Sequence, residues 1–535
     1  MGEPLRKVSL TLRPNGRGGG VYAATSANDG SFRFPAVDPG SYALTGERTG
    51  YVRETLRSPG GETRVIEVVS NKTTSGVELK MTPQGVIAGH VFDEDGDPIQ
   101  SVAVEAWRYT YPGGRRQLTP VESGSTNDLG EFRVANLPPG RYFVSAARRG
   151  GTLQAFRNAG RGGRAGRAAG GGGSGPAEVM EDYVTTYYPN VLDVNNASGL
   201  DLVAGSETRG IDIRLQKARF HRVSGSVSGL LSSNSAPVAQ AKGKAGAGIL
   251  LALAPRNGSG RQAGNALVNG ADGTFEFAAV PPGSYYIVAQ APGPAQQRVT
   301  ARVPVEVGNA DVSGVAVRLQ PPLAVSGNVR LESSGGQPAV RLSTVRLTLV
   351  PTETVAGNQS RNPQAQLAED GSFQAQLEPY AYTVEAGGLP EGFYLKSVKL
   401  AGREMPDAAL DLSYGGGPVD IVLAPASGDV TGTVQNARGE PAASIQVTAV
   451  PVSGSLRRDR NKLVTTDANG NFTLHGLPPG DYQIFAWEEV EANAWMDRDF
   501  RQPFASQAAS VRVQESGTPS VTVRVIDRSQ VAGRQ

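Results

Sequence analysis

The chain has 535 residues, 69 of them glycine and none cysteine, and its formal net charge is +2. At roughly 100 to 200 residues per domain, this length predicts several domains, each large enough for its own core. The small net charge excludes a general attraction to nucleic acid or to a membrane surface. The missing cysteines exclude disulfides, thiolate metal sites and a cysteine nucleophile.

A two-part motif recurs along the chain. Its first half is an Asp-Gly or Asn-Gly turn followed by a Phe, and its second half is usually a Pro-Gly turn followed by a Tyr. In chain order the marked aromatic pairs are Phe32 and Tyr42, Phe132 and Tyr142, Phe275 and Tyr285, Phe373 and Tyr382, and Phe472 and Tyr482. The glycines permit sharp turns and proline ends the first strand. Each copy therefore predicts a β-hairpin with an inward-facing aromatic residue at the start of each strand.

The spacing of the motif separates two kinds of repeat protein. Its second halves are marked by Gly40, Gly140, Gly283, Tyr380 and Gly480, so the intervals are 100, 143, 97 and 100 residues. Solenoid repeats have periods of about 20 to 50 residues. The spacing therefore predicts tandem domains, one of which carries an insertion.

An apolar-x-Gly-x-Val segment opens four of these repeats, at residues 87–91, 223–227, 325–329 and 430–434. Six or seven short strands per hundred residues, with turns between them, are typical of a β-sandwich. The predicted domains are repeat 1 at 1–83, repeat 2 at 84–219, repeat 3 at 220–322, repeat 4 at 323–427 and repeat 5 at 428–535.

Repeat 1 begins without that opening strand. Residues 2–5 align with 96–99 and 439–442, which follow the first strand in repeats 2 and 5. We expect an unpaired sheet edge in repeat 1. We also expect the sequence to be an N-terminally incomplete version of a longer protein, whose signal peptide would precede it.

The long interval contains a segment rich in glycine and arginine at about 157–177. It has few apolar side chains to bury, which predicts a mobile, disordered loop inside repeat 2. Similar stretches at 232–248 and 257–264 would lengthen loops of repeat 3. No aromatic residue lies between Phe156 and Tyr183 for base stacking. A cationic loop is therefore preferred to a nucleic-acid-binding one, and contact with acidic polysaccharide or a membrane surface remains the alternative.

Together, Val-x-Gly-x-Val, Asp-x-x-Gly-x-Pro, Asp-x-x-Gly-x-Phe and Leu-Pro-Pro-Gly-x-Tyr resemble the carboxypeptidase regulatory-like domain, over most of the chain. That family is similar to transthyretin and to the Cna B-type repeats of surface adhesins. The resemblance implies an all-β chain of five tandem transthyretin-like or immunoglobulin-like β-sandwiches in an elongated array. It also implies a bacterial protein outside the cell or in the envelope, often grouped with carbohydrate-binding-like folds. It implies no activity by itself.

The family name raises the question of peptidase activity. A zinc carboxypeptidase needs a His-x-x-Glu pair. His90, His221 and His475 are instead followed at the third position by Asp, Ser and Pro. We therefore predict no catalytic residue and no cofactor.

Asp93, Asp95 and Asp97 form a weak calcium candidate, because they combine dense carboxylates with a glycine at the bend. They lack the spacing and the terminal Glu of an EF-hand loop. The alternative interpretation is an acidic hairpin turn.

Aromatic side chains are candidates for stacking against a sugar ring. In repeat 2 these are Trp107, Tyr109 and Tyr111, and in repeat 5 they are Trp487 and Trp495. Packing in a core or between domains is the alternative, favoured for Trp107 and Trp487 because both lie in predicted strands. Trp495 lies in an acidic loop and is the strongest candidate.

Three functions follow from these observations. The preferred one is a non-enzymatic secreted or cell-surface monomer whose repeats act as structural spacers and adhesin-like interaction modules. The second is a carbohydrate-binding protein, and the third is an enzyme or the accessory region of a peptidase or transport system. Expected partners are polysaccharide or envelope proteins. No nucleic acid is expected, and no apolar run approaches the roughly 18 residues of a membrane span.

Overall fold

The computed structural model describes residues 3–16, 20–57, 63–148, 181–229, 249–256, 264–269, 272–292, 298–332, 341–353, 362–389, 392–425, 428–514 and 517–532. The predicted loops at 157–177 and 232–248, and residues 257–263 of the third loop, lie outside these ranges. In the part of the chain so described, no helix is long and apolar enough to cross a membrane.

Strands dominate the secondary structure. Residues 3–83 contain β1 (Ser9–Pro14), β2 (Tyr22–Thr25), β3 (Gly40–Glu47), β4 (Glu54–Thr55) and β5 (Val65–Val68). Residues 84–219 contain β6 (Gly85–Phe92), β7 (Val102–Thr110), β8 (Gln117–Ser125), β9 (Glu131–Leu137), β10 (Gly140–Arg148), β11 (Glu181–Tyr183), β12 (Thr186–Tyr187), β13 (Leu200–Leu202), β14 (Glu207–Thr208), β15 (Ile213–Arg214) and β16 (Lys217–Arg219). Residues 220–322 contain β17 (His221–Ser228), β18 (Leu250–Pro255), β19 (Gly264–Leu267), β20 (Thr274–Val280), β21 (Gly283–Pro292), β22 (Arg298–Val307) and β23 (Val312–Arg318).

The remaining strands follow the same order. Residues 323–427 contain β24 (Leu323–Leu331), β25 (Arg346–Pro351), β26 (Gln364–Gln366), β27 (Ser372–Leu377), β28 (Ala381–Gly387), β29 (Phe393–Leu400), β30 (Arg403–Glu404), β31 (Ala409–Asp411) and β32 (Val419–Pro425). Residues 428–535 contain β33 (Gly428–Gln435), β34 (Gln446–Pro451), β35 (Lys462–Thr465), β36 (Asn471–Leu477), β37 (Gly480–Trp487), β38 (Ala509–Val513) and β39 (Ser520–Ile526). Two short helices, α1 (Arg498–Arg501) and α2 (Arg528–Ala532), lie in the last segment, and short 3-10 helices include Pro112–Gly114, Val194–Asn196, Ala494–Met496 and Gln502–Gln507.

Repeats 2 to 5 share one strand plan of two sheets, although in repeat 5 the pairing of β37 with β39 joins the two into one sheet of seven strands. In one sheet the opening strand lies between two others. It is antiparallel to the strand that carries the marked Phe and parallel to the last strand of the repeat. Examples are the strand orders β20-β17-β23, β27-β24-β32 and β36-β33-β39. The other sheet contains the strand that carries the marked Tyr, as in β19-β18-β21-β22. The predicted all-β, β-sandwich fold is confirmed.

Hydrophobic clusters follow the predicted repeats. Five of them draw their fully buried members from 8–56, 87–215, 223–319, 325–423 and 430–523. Burial of large aromatic and aliphatic side chains between two sheets is the main stabilising term in such a fold. Each repeat therefore has a core of its own, while the exact domain boundaries stay a prediction.

The glycine of the opening strand has a steric role. A Cβ atom on Gly225 would lie 2.0 Å from the carbonyl oxygen of Val315 on the parallel last strand. The corresponding distances at Gly89, Gly327 and Gly432 are 2.1, 2.2 and 2.2 Å. The marked Phe of the other neighbouring strand pairs with this glycine in all four repeats, as Phe275 does with Gly225. Glycine is thus required where two strands and an aromatic ring meet.

Repeat 1 departs from this plan. Its five strands form one sheet in the order β2-β1-β3-β4, with β5 also paired to β3. Within residues 3–57 and 63–83, the segments 31–34 and 75–81 correspond to the two strands that flank the opening strand elsewhere, and neither forms a strand. Phe32 is half-buried, whereas the other nine marked aromatic residues are buried.

Candidate functional site

The carboxylates of the recurring turns bond to their own backbone. Asp467 accepts hydrogen bonds from the amides of Asn469 (2.9 Å) and Asn471 (2.8 Å). The hydrogen bond from Asn471 is the largest cause that holds the pKa of Asp467 below its ordinary value. Hydrogen bonds from the residue two positions later likewise lower the pKa of the turn carboxylate at Asp29, Asp272 and Asp370. In repeat 2 the equivalent acceptor is the uncharged Asn127.

The acidic turn of repeat 2 has the same construction. The Asp93 carboxylate accepts from the amides of Asp95 (3.0 Å) and Asp97 (2.8 Å). Asn436 accepts from Arg438 and Glu440 at 2.9 and 3.0 Å in the matching turn of repeat 5, so the turn needs no charge. Across the described residues, no group of three or more His, Asp or Glu side chains is arranged to hold a metal. Residues 93–97 thus form a hydrogen-bonded hairpin turn, and calcium binding there stays a prediction.

Glu94, in the same turn, anchors a later segment of repeat 2. Its carboxylate accepts a hydrogen bond from the Tyr183 hydroxyl (2.8 Å) and pairs with Lys217. These contacts, that of Lys217 first, lower the pKa of Glu94 to about 2. The acidic turn therefore fastens β11 and β16 to the sandwich.

The three histidines lie in three different repeats. His90 and His475 are exposed at the side chain, and the Nδ1 atom of each lies 3.1 and 3.0 Å from a single carboxylate, Asp212 and Asp429 respectively. His221 is buried, and its Nδ1 atom lies 3.7 Å from Asp311. Each histidine thus faces a carboxylate of its own repeat.

All three tryptophans are buried, which agrees with the packing interpretation favoured for Trp107 and Trp487, whereas sugar stacking needs an exposed ring. Trp107, Trp487 and Trp495 are 1%, 0% and 6% exposed. Trp107 donates its Nε1 hydrogen to Ser145 (2.8 Å), and Trp487 donates to Thr448 (3.0 Å). Buried indoles with satisfied N–H groups are packing residues.

Segments outside the shared β-sandwich plan cover these rings. Phe143, Tyr187 and Val194 pack with Trp107 in a small satellite cluster. In repeat 5 the Trp487 ring contacts Phe500 and Phe504, with ring centroids at 5.8 and 5.2 Å. Trp495 belongs to the same aromatic cluster. The inserted segments therefore build a second core on the outer face of a sheet.

A hairpin of repeat 2 completes the aromatic cluster of repeat 5. Tyr111, at the tip between β7 and β8, is buried, and its ring centroid lies 5.7 Å from that of Phe500. Burial raises the pKa of Tyr111 to about 12. A Cβ atom on Gly114, where φ is +76°, would lie only 2.7 Å from the Cβ of Met496. The two aromatic groups singled out in the sequence thus meet each other.

One ion pair lies beside this contact. The Nη2 atom of Arg108 in repeat 2 lies 2.8 Å from Oε2 of Glu491 in repeat 5, and both residues are half-buried. Burial raises the pKa of Glu491, and the guanidinium of Arg108 opposes that shift. The attraction between the two charges offsets part of the free energy lost when the interface removes both groups from water.

The same hairpin also reaches repeat 4. Arg115 donates to the carbonyl oxygen of Pro351 and to the hydroxyl of Thr383, the latter at 3.4 Å. Burial lowers the pKa of Arg115, and the nearby Glu385 opposes this. The tip between β7 and β8 is therefore wedged between repeats 4 and 5.

Repeats 4 and 5 share a second polar contact. The amide of Leu395 donates to Oδ2 of Asp459 (3.0 Å), and the carbonyl of Leu395 accepts from the buried guanidinium of Arg457. The register of β29 shifts between Leu395 and Ser397, which marks a bulge. Arg457 and Asp459 of repeat 5 thus bond to the backbone carbonyl and amide of Leu395 at that bulge.

Repeat 3 contacts repeat 4 through Arg302 and Tyr286. The Nη2 atom of Arg302 lies 3.3 Å from Oε2 of Glu353, and the Tyr286 hydroxyl donates to the same oxygen at 3.0 Å. The guanidinium carbon of Arg302 also lies 4.6 Å from the ring centroid of Tyr380, a cation–π contact. Repeats 2 to 5 are therefore joined by defined side-chain contacts.

We use the name three-repeat junction for the contacts of Arg108, Tyr111 and Arg115 with repeats 4 and 5, together with the contact of Arg457 and Asp459 with Leu395. The sequence singles out Tyr111, Trp487 and Trp495 as candidates for sugar stacking, with packing in a core or between domains as the alternative. One signal was available: the Trp-rich segment of repeat 5 and the Tyr-Pro-Gly-Gly hairpin of repeat 2 both depart from the shared repeat pattern. The arginines carry no pattern that distinguishes them from solvated residues.

Comparison with known families supports the resemblance. Residues 429–526 match the carboxypeptidase regulatory-like domain. The matched residues make up most of repeat 5, whose motifs predicted this similarity. The curated proteins include no match to the chain.

Solved structures of low sequence identity also align with the chain. A streptococcal ancillary pilin is 10% identical, with 57% of this chain and 98% of that chain covered and a TM-score of 0.19. Two B repeat units of the collagen-binding protein of Staphylococcus aureus are 13% identical, with 77% and 94% covered and a TM-score of 0.15. The major pilin subunit of Bacillus cereus is 10% identical, with 82% and 99% covered and a TM-score of 0.16. Similarity at this level carries no argument about function.

Proposed function

We propose that this protein is a non-enzymatic structural protein of the cell exterior, whose β-sandwiches act together as a rigid spacer and as interaction modules. The observation that carries this proposal is the three-repeat junction. There, buried aromatic and charged side chains connect repeats 2, 4 and 5. A body built in this way holds repeats 2, 4 and 5 in a fixed arrangement, which a string of independent domains does not.

The chemistry of the recurring motif supports the same role. Its tyrosine hydroxyls and turn carboxylates bond to backbone atoms a few residues away. Groups used in this way position the chain and are not available to a substrate. The repeated residues thus serve the fold.

Carbohydrate binding through Trp107, Trp487 and Trp495 is not proposed, because a sugar ring needs an exposed aromatic face and these faces are covered. The indole N–H groups of Trp107 and Trp487, which could donate to a sugar hydroxyl, bond to serine and threonine of the protein.

The location can be tested on intact cells that produce the protein. An antibody against the loop that carries Tyr414, whose side chain is 97% exposed, would be applied before and after lysis. We expect labelling of intact cells, and loss of that labelling when the cells are first treated with protease. A cytoplasmic marker protein serves as the control for leakage. Labelling that appears only after lysis would contradict the proposal.

A further inference from the structure

The opening strand and the last strand of repeats 3, 4 and 5 are direct neighbours and run parallel. β17 pairs with β23 in repeat 3, β24 with β32 in repeat 4, and β33 with β39 in repeat 5. In repeat 4 the pairing extends from Gly327 opposite Val419 to Leu331 opposite Leu423. The first and last strands of each of these repeats are therefore bonded to each other along their length.

The same two strands connect each repeat to its neighbours in the chain. Residues 319–322 separate the end of β23 from the start of β24, and residues 426–427 separate the end of β32 from the start of β33. A force that pulls along the chain thus enters repeat 4 at the start of β24 and leaves it at the end of β32.

The parallel direction decides how such a force acts. Because β24 and β32 run the same way, the entry and exit points lie at opposite ends of the pair, and the pull slides the strands past each other. The backbone hydrogen bonds run across the gap between the strands, so all of them resist together. A pull at one common end would break them one after another.

Other contacts oppose the sliding of these strands. β24 is also paired with β27, and β32 is also paired with β29. Val329 of β24 and Ile421 of β32 are 1% and 0% exposed, so sliding would drag buried side chains through the core. Within the described part of repeat 3, β23 has β17 as its single strand partner. Repeat 4 should therefore resist a pull more strongly than repeat 3.

The recurring glycine of the opening strand belongs to this pairing. A Cβ atom on Gly225, Gly327 or Gly432 would lie 2.0 to 2.2 Å from a carbonyl oxygen of the last strand. Only a residue without a side chain allows the two strands to approach so closely. The most regular glycine of the sequence is thus found where the first and last strands meet.

We propose that repeats 3, 4 and 5 bear tension along the chain, through the sliding resistance of their parallel opening and last strands. The protein would transmit a pulling force between its ends while these repeats stay folded. This goes beyond the role of a spacer, which needs only a fixed arrangement. It depends on strand pairing inside each repeat and not on the three-repeat junction.

The direction of pulling tests the inference in repeat 3 of the full chain. The sequence has no cysteine, so pairs of cysteines can carry the handles of an optical trap. Arg219→Cys with Arg318→Cys loads opposite ends of β17 and β23, and Arg219→Cys with Ser313→Cys loads one common end. All three side chains are exposed.

Forced unfolding reports the height of a kinetic barrier, and the first pair should need at least roughly twice the force of the second at one loading rate. Equal forces, or a smaller force for the first pair, would overturn the proposal. These handles lie outside the three-repeat junction, so the result is independent of whether that junction is rigid.

Repeat 4 provides a second comparison. Ala324→Cys with Val422→Cys loads opposite ends of β24 and β32, and Ala324→Cys with Pro418→Cys loads one common end. We expect the same dependence on direction, and a higher force for the first pair than in repeat 3. Amide exchange at β24 should be equal in the two variants before pulling. A difference in exchange that matches the difference in force would assign the effect to stability and overturn the proposal.

Discussion

A tyrosine hydroxyl closes the second turn of the motif in every repeat. The hydroxyl donates to the carbonyl oxygen four residues earlier, from Tyr42 to Asp38 (2.9 Å), Tyr142 to Pro138 (2.7 Å), Tyr285 to Pro281 (3.0 Å), Tyr382 to Glu378 (3.1 Å) and Tyr482 to Pro478 (3.0 Å). Such a contact resembles the tyrosine corner of immunoglobulin-type sandwiches. The tyrosine thus combines a buried ring with a hydrogen bond that fixes the turn.

This bond can be removed without emptying the core. We expect Tyr482→Phe to lower the local stability of repeat 5 by about 1 kcal/mol, because the Pro478 carbonyl loses its buried donor. Amide exchange of β37 in the full chain measures this. Tyr414→Phe, at an exposed tyrosine, should change nothing. An unaltered β37 in Tyr482→Phe would show that the ring alone matters.

The turn carboxylates predict a dependence on pH. The folded chain lowers the pKa of Asp467 through the amide hydrogen bonds of Asn471 and Asn469. A lowered folded-state pKa stabilises the fold above the unfolded pKa of about 3.9, and the contribution is lost as pH falls through the folded value. Stability of repeat 5 should therefore decrease with acid below about pH 4.

The variant Asp467→Asn separates the effect of the carboxylate charge from that of the hydrogen bonds. Asp467→Asn keeps an acceptor, as Asn127 does in repeat 2, and should reduce the acid-dependent loss while preserving the turn at neutral pH. Asp467→Ala should weaken the turn at every pH. Urea denaturation of the two variants from pH 2.5 to 7, followed through amide exchange in β36, is the measurement. Equal pH slopes in the native chain and in Asp467→Asn would refute the assignment.

At the scale of elements, the hairpin between β7 and β8 connects three repeats. Its Tyr111, Arg108 and Arg115 contact two other repeats. The strands themselves are predictable from alternating apolar residues and turn residues, because both are local in sequence. The surface against which the hairpin packs cannot be predicted in this way, because Arg108 and Glu491 are 383 positions apart and no local pattern links them.

A charge exchange tests the contact of this hairpin with repeat 5. Arg108→Glu should weaken the docked state by about 2 kcal/mol or more, because it places two carboxylates together in a half-buried site. Adding Glu491→Arg should restore most of the loss. The readout is amide exchange at residues 109–117 in each variant. If the double variant is as weak as Arg108→Glu alone, the ion pair does not hold the hairpin.

The same limit applies to the tryptophans. Trp107 and Trp487 could be placed in strands from sequence, and that placement is confirmed. Whether their outer face meets solvent depends on the segments around Val194 and Phe500, which fold over the sheet from elsewhere in the chain. Opening-strand glycines such as Gly432 were recognised as a motif. The reason that glycine is required is that a Cβ atom on Gly432 would lie 2.2 Å from a carbonyl oxygen of the parallel strand. This close approach depends on the tertiary pairing of β33 with β39.

At the scale of the molecule, the separate cores and the contacts between repeats predict that unfolding is partly cooperative. Repeats that share contacts should affect each other's stability, and the others should unfold independently. We expect Phe472→Ala to cost about 3 to 5 kcal/mol and to unfold repeat 5 first. Loss of repeat 5 removes the cover of Tyr111 and a partner of Leu395, so exchange should also rise at residues 109–117 and in β29. Repeats 1 and 3 should keep their protection. Simultaneous loss of protection in all five repeats would contradict separate cores.

The three-repeat junction should hold repeats 2 and 5 in one fixed arrangement. The chain has no cysteine, so Ser123→Cys on β8 and Ser510→Cys on β38 can carry two spin labels without background. Pulsed electron paramagnetic resonance should give one narrow distance distribution, which broadens when Tyr111→Ala and Arg108→Glu are added. A broad distribution before those changes would show that the repeats are independent beads and would contradict the account.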